Sequence, residues 1–315
     1  MKKLLLTTTA LAGMTGAAVA DVSLSGTGTI NLRTDTANTW SSDASLVASM
    51  SSSGAYAAAV TINIAEYGAT GTAAPTKAPA PSAAVTLTAP MATLTVSDNG
   101  GIDEASMTYS PVSGMTGIGT ESAASVSVTA NLGDISASYS SDLTMTSASS
   151  AFGASGTMGG ISFTVGSENE EMGISLSGSA FGGTVKVAME ELAAASNTGI
   201  SIAIPVSGST LTLNADDTSG VDGWSASVAT TVNGASVTVG TNDAGTTTVD
   251  VSAPIAGGAT FVADYSTAAN SSEYGVSYDL GGGATFLVSH SEYSATTDSG
   301  ADYGLGTNIK LSFAF

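Results

Sequence analysis

The side chains able to do chemistry in this chain are almost all carboxylates and hydroxyls. Its 315 residues include 26 acids, six bases, one histidine and no cysteine. Without cysteine there is no thiolate nucleophile, no thiolate metal site and no disulfide framework. His290 stands alone: a metal site needs further ligands at set spacing, and a Ser-His-Asp relay needs more than abundant serine. It is read as lying near one rim of the fold. Gly26-Thr27-Gly28 and Gly117-Ile118-Gly119 open no helix and offer no phosphate cradle. The acidic runs Glu168-Asn169-Glu170-Glu171, Glu190-Glu191 and Asp216-Asp217 carry the hard oxygens that suit Ca²⁺, but not in the spacing of a twelve-residue calcium loop. They are expected to be solvated loop charge; no cofactor is expected, with loop-bound Ca²⁺ as the alternative.

The charge balance narrows the partners. Beyond Lys2 and Lys3 the cations are Arg33, Lys77, Lys186 and Lys310, against all 26 acids. Nucleic acid is excluded as a natural partner, because phosphate binding needs clustered Lys and Arg. Attraction for cations is expected instead. The most suggestive carboxylates are Asp98, Asp103 and Glu104, in the weakly periodic stretch 97–120, with Glu121 at its end. A stretch of that length without its own secondary structure is usually functional. A narrow, low-dielectric mouth focuses the field of such fixed charges, so they are candidates for setting cation selectivity.

The elements that position these residues are strands. The first 20 residues, MKKLLLTTTALAGMTGAAVA, read as an export leader: two lysines, a short apolar stretch and an Ala-Val-Ala cleavage site. The mature unit is then 21–315, and no later segment reaches the apolar length of a transmembrane helix. From Asp21 onward the dominant period is two. Examples are Tyr56-Ala58-Val60-Ile62-Ile64, Ile200-Ile202-Ile204-Val206 and Ile309-Leu311-Phe313-Phe315. Successive strand side chains point to opposite faces, so each run has one apolar and one small polar face.

Turn signals such as Asn233-Gly234, Ser207-Gly208 and Gly257-Gly258 recur between the runs, and two-residue hairpins favour these types because their central positions need positive φ. Longer acidic connections alternate with them, which implies a meander whose two ends differ. The polar face is Ser, Thr, Gly and Asn rather than Lys or Glu, no helices are available to cover either face, and closure would remove the edges. The sequence therefore predicts an all-β, closed antiparallel transmembrane β-barrel, with 16 to 20 strands by hairpin count. Lys186, Asp250, Asp264, Asp279 and Lys310 sit between apolar neighbours and Arg33 follows Leu32, so alternation turns them toward the lumen. The ending in Phe313 and Phe315 suits the strand by which outer-membrane barrels are recognised for assembly. The competing architecture is a β-solenoid or sandwich, as in a secreted acidic Ser/Thr-rich adhesin or surface-layer protein; a barrel with a plugged lumen shares every feature named.

A family resemblance joins these readings. The stretch 273–288 (EYGVSYDLGGGATFLV), the start DVSLSGTG at 21–28 and the terminal Phe315 resemble the alphaproteobacterial general-diffusion porins of Gram-negative outer membranes. The match is close at the two ends and covers the rest in layout. It implies a 16-stranded barrel, usually a homotrimer, in the cell outer membrane. There it contacts lipid and lipopolysaccharide, is inserted by the barrel-assembly machinery, and passes small hydrophilic solutes and ions without energy input or catalysis. It also implies that the loop after the fifth strand, here 97–120 after a strand over 91–96, folds inward, with Asp98, Asp103, Glu104 and Glu121 as its carboxylates. Such porins set an arginine and lysine cluster across from that loop; this chain offers only Arg33, Lys186 and Lys310, so plain cation preference is expected.

Overall fold

The computed structural model describes residues 21–34, 39–70, 82–98, 102–115, 117–118, 124–142, 150–218, 220–268, 271–292 and 306–314. Residues 1–20, expected to be a leader, and Glu121 and Phe315 lie outside these residues. Twenty strands, β1 (Asp21–Thr34) to β20 (Gly306–Ala314), follow one another with a single 3₁₀ turn, η1 (Ala105–Thr108), between the fifth and sixth. Each strand pairs antiparallel with the next, and β20 pairs with β1 through Ile30↔Leu311 and Leu32↔Ile309. The sheet is a closed barrel, which sets aside the solenoid and the sandwich.

The strand count corrects the family-based expectation of 16. Strand number is set by the hairpins the chain can close, and here every alternating run found a partner on both sides. The stretch from Met189 to Ala195 is no helix: β11 (Gly183–Leu192) turns through Ala193 and Ala194 into β12 (Ala195–Val206). Among the described residues no helix is long and apolar enough to cross a membrane.

The two ends of the barrel differ. At one end β6–β7, β8–β9, β12–β13 and β14–β15 turn through two residues each. Ser207 and Gly208 have φ of 50° and 85°, and Asn233 and Gly234 of 51° and 85°, the paired positive φ that keeps the hairpin twist matched to its strands. Between β10 and β11 the paired positive φ falls at Phe181 and Gly182, not at the Gly182-Gly183 doublet. At the other end lie the long connections 71–81, 98–125 and 292–305. Two acidic connections there are shorter than their composition suggests: Glu168 and Glu171 are joined through Asn169 and Glu170 alone, and Thr218 and Val221 through two residues.

The faces separate as period two demands. On β10 (Glu171–Ala180) Met172, Ile174 and Leu176 are exposed, Leu176 by 47%, whereas Gly173 and Ser175 between them are buried. The same order holds on β11, where Val187 and Met189 are exposed and Ala188 and Glu190 are buried. An apolar face that is exposed and a polar face that is covered is the reverse of a water-soluble fold.

The hairpin geometry gives a first expected outcome. Ser207→Val puts a β-branched residue at a positive φ and lowers unfolding stability by about 1–2 kcal/mol; Ser207→Gly leaves it equal or higher. Urea unfolding followed by tryptophan fluorescence reads the difference.

Candidate functional site

The site is built by the segment between β5 (Ala92–Ser97) and β6 (Val126–Leu132). Its base is fixed by backbone and carboxylate together. The Asp98 backbone N–H donates to Ala83 O (3.1 Å), the Ala83 N–H donates to Asp98 Oδ1 (2.9 Å), and Ile102 bridges Ala124. The segment then crosses the polar face of the next strands. Ala105 N donates to Ser140 Oγ (2.8 Å) on β7 (Ile135–Ser141), and Ser106 Oγ donates to Glu168 Oε2 (3.1 Å) on β9 (Ile161–Glu168). Ser110 N donates to Thr164 Oγ1 (3.0 Å), also on β9. Lys186 Nζ on β11 donates to Ser110 Oγ and to Pro111 O, both at 2.8 Å. Glu190 receives Gly117 N (3.0 Å) through Oε2 and Asn197 Nδ2 (2.7 Å) through Oε1.

Beneath these bonds lies the barrel's one cluster of buried apolar side chains among the described residues: Tyr109, Val112, Met115 and Ile118 of the segment on Ala188 of the wall. The wall is flat there because its residues are small. Gly153 of β8 (Ser150–Met158) is in register with Gly166, and Gly166 with Gly173. A β-carbon on Gly173 would stand 2.6 Å from the Tyr109 ring, and one on Gly199 of β12 2.6 Å from Met115 Sδ. On Gly153 or Gly166 it would collide with the backbone oxygens of Ala105 and Ser106.

The Tyr109 phenol is buried and makes no hydrogen bond of good geometry. Burial first, and the adjacent Glu190 carboxylate second, hold its pKa well above the ordinary tyrosine value. It stays a neutral phenol wherever the segment is seated.

The sequence of the chain matches no protein-family profile, and no curated protein is matched by it. Solved structures are similar in shape. OpdK, an outer membrane protein from Pseudomonas aeruginosa, covers 94% of this chain with 99% of its own, at 11% identity and a TM-score of 0.52. A mutant of the Rhodopseudomonas blastica porin gives 13% identity over 94% of this chain and 100% of that one, with a TM-score of 0.41. OccAB2 from Acinetobacter baumannii gives 10% identity over 94% and 98%, with a TM-score of 0.48. The chain has an outer-membrane porin-like barrel fold. At these identities the likeness extends to the fold alone.

The predicted residues separate within that barrel. Asp103 is exposed on the segment, whereas its neighbour Glu104 is buried and Asp98 is engaged at the base. Asp250, Asp264 and Glu273 stand side by side on β16 (Thr247–Ile255), β17 (Ala259–Ser266) and β18 (Ser271–Gly281), in the registers Asp250↔Asp264 and Asp264↔Glu273. Ser291 Oγ donates to Glu273 Oε1 (2.5 Å). Asp279 is exposed at the short-turn end, where its Oδ1 receives Gly281 N (2.8 Å).

Lys186 lies well apart in the sheet from Arg33 and Lys310. Lys186 is bound to the segment from β11, while Arg33 and Lys310 lie on adjacent β1 and β20, with Asn31↔Lys310 in register. Phe313 is exposed on the apolar face of β20. His290 is on that face too, its ring 5.4 Å from that of Tyr274 and its Nδ1 3.0 Å from Thr307 Oγ1. Among the described residues no three His, Asp or Glu side chains are arranged to hold a metal ion. Glu168 and Glu190, read from sequence as loop charge, instead receive hydrogen bonds from the segment.

Sequence reading missed this seat. Its signal was present: Gly153, Gly166, Gly173 and Gly199 interrupt strand runs rather than turns, and glycine inside a strand marks close approach by another backbone or a ligand.

The neutral phenol sets a pH expectation. The seated state holds the Tyr109 proton more tightly than the unfolded chain does. Stability from the seat is therefore full below the ordinary tyrosine value near 10 and falls as pH rises beyond it. Tyr109→Phe removes this alkaline loss and changes stability at neutral pH by less than about 1 kcal/mol, as a pH series of urea melts shows. Glu190→Ala, which strands the Gly117 and Asn197 donors, costs about 2–4 kcal/mol in the same melts.

Proposed function

We propose that this chain is an outer-membrane channel for passive diffusion of small hydrophilic solutes and ions, preferring cations, with the segment from Ile102 to Ile118 folded into its lumen. One observation carries the reading: a closed 20-stranded sheet whose large apolar side chains are exposed on one face and whose Ser, Thr, Gly and carboxylate side chains lie on the other. The apolar face suits lipid, and the polar face suits a water-filled interior, which barrels of this size leave open. The segment then rests on the inner wall, because every wall residue it contacts belongs to the polar face.

The charges support cation preference. Asp103 is exposed on the segment, and Asp250, Asp264 and Glu273 form an acidic row within four residues of the same long-connection end. Lys186 is taken up by the segment's oxygens, and among the described side chains no cation cluster opposes the acids. The proposal is of a transport protein rather than an enzyme. Trimeric assembly in a Gram-negative outer membrane, lipopolysaccharide around the long connections and assembly through the final strand belong to the same reading.

Planar-bilayer recording tests it. Purified protein gives stepwise conductance with cations more permeant than anions; a protein that stays in the aqueous phase without detergent and gives no steps removes the proposal. Asp103→Asn lowers the cation-to-anion permeability ratio about twofold with little change in conductance. Leu176→Arg, on the lipid face, lowers stability in bilayers by about 2–4 kcal/mol if the residue lies near the midplane, measured by urea titration in liposomes.

A further inference from the structure

We infer that the bore of this channel is set by the small wall residues Gly153, Gly166, Gly173, Ala188 and Gly199, on which the inward segment rests, and that Lys186 is the positioning residue that holds the segment down on them. The inference builds on the channel reading above.

Glycine weakens a strand by entropy and by leaving nothing to pack, yet β8, β9, β10 and β12 each place one beneath the segment. The missing side chains are occupied space on the other side of the contact. The oxygens of Ala105 and Ser106 stand where the β-carbons of Gly153 and Gly166 would be, the Tyr109 ring covers Gly173, and Met115 covers Gly199. Ala188, 1% exposed, completes the row between them.

The two partners in this contact are unequally held. Each wall strand has ladder hydrogen bonds on both sides, so it yields little. The segment is tied by isolated bonds, and one of its ties is central. The Lys186 ammonium reaches Ser110 Oγ and Pro111 O together, between the Tyr109 and Val112 contacts. A side chain added to the wall therefore lifts the segment into the lumen, and loss of the lysine donor lets it rise and fluctuate. Wall volume and segment height are one quantity, and the bore is what remains.

The experiment uses the full-length protein, shown to be folded by heat-modifiable migration in detergent gels. Single-channel conductance and the size limit for neutral polyethylene glycols are then recorded. Gly173→Ala and Gly199→Ala lower conductance about 1.5-fold or more and admit only smaller polymers. Gly178→Ala, whose β-carbon meets nothing closer than 3.8 Å, matches the parent. Lys186→Met raises the polymer limit and the current noise, and Lys186→Gln, equally uncharged but still an N–H donor, restores both toward the parent. If the parent conducts and the two wall variants match it, the wall does not set the bore. If Lys186→Gln and Lys186→Met behave alike, the lysine acts by charge alone and its positioning role is wrong. Should the glycine variants not fold, the lysine pair still decides. A parent without conductance overturns the channel reading itself.

Discussion

The constraint on which the structure depends is that every strand needs a hydrogen-bonding neighbour on both sides. An exposed strand edge is a row of unpaired N–H and C=O groups, tolerable in water and prohibitive in hydrocarbon. The chain meets this demand by pairing its last strand with its first. From closure the rest follows. One face of each strand must look inward and the other outward, and the chain writes that division as strict alternation, with large apolar residues out and Ser, Thr, Gly and acids in. The turns that keep so many strands consecutive are short, and Ser207-Gly208 and Asn233-Gly234 show the backbone twist they require.

Closure also creates an interior that the wall side chains are too small to fill. The segment after β5 packs on the polar face of its strands. Its apolar residues Tyr109, Val112, Met115 and Ile118 make a small core against Ala188, and its backbone comes within contact distance of strand glycines. Burial of those side chains favours the seated form, since covering a large apolar side chain is worth about 1.5–3 kcal/mol. Hydrogen bonds to Ser140, Thr164, Glu168 and Glu190 satisfy polar groups that would otherwise be covered without partners. The loss of strand propensity at the glycines is offset by this contact.

Electrostatics runs through the same architecture. Carboxylates in direct cross-strand register, as Asp250, Asp264 and Glu273 are, repel one another and lower stability by a few tenths to about 1 kcal/mol per pair. Folding alone gives no reason for that row; the channel proposed above does. Lys186 illustrates the opposite use of charge: its ammonium is committed to a hydroxyl and a carbonyl of the segment, where it fixes geometry.

Sequence determined the class of fold, the alternation of faces, the closed meander and the difference between its ends, because period two and turn chemistry are local properties that tertiary context seldom overrides. It also set the stretch 97–120, after the fifth strand, apart from the alternating runs. It did not determine strand number: resemblance suggested 16, and only the pairing partners of each weak run made it 20. Nor did it separate Asp103 from Glu104, adjacent acids of which one is exposed and the other buried, or reveal that Glu168, Lys186 and Glu190 hold the segment in place. Those roles depend on contacts between residues some 60 to 80 positions apart. Alternation can say which face a side chain takes; which distant segment lies across that face is settled only when the barrel closes and gives the segment a wall to rest on.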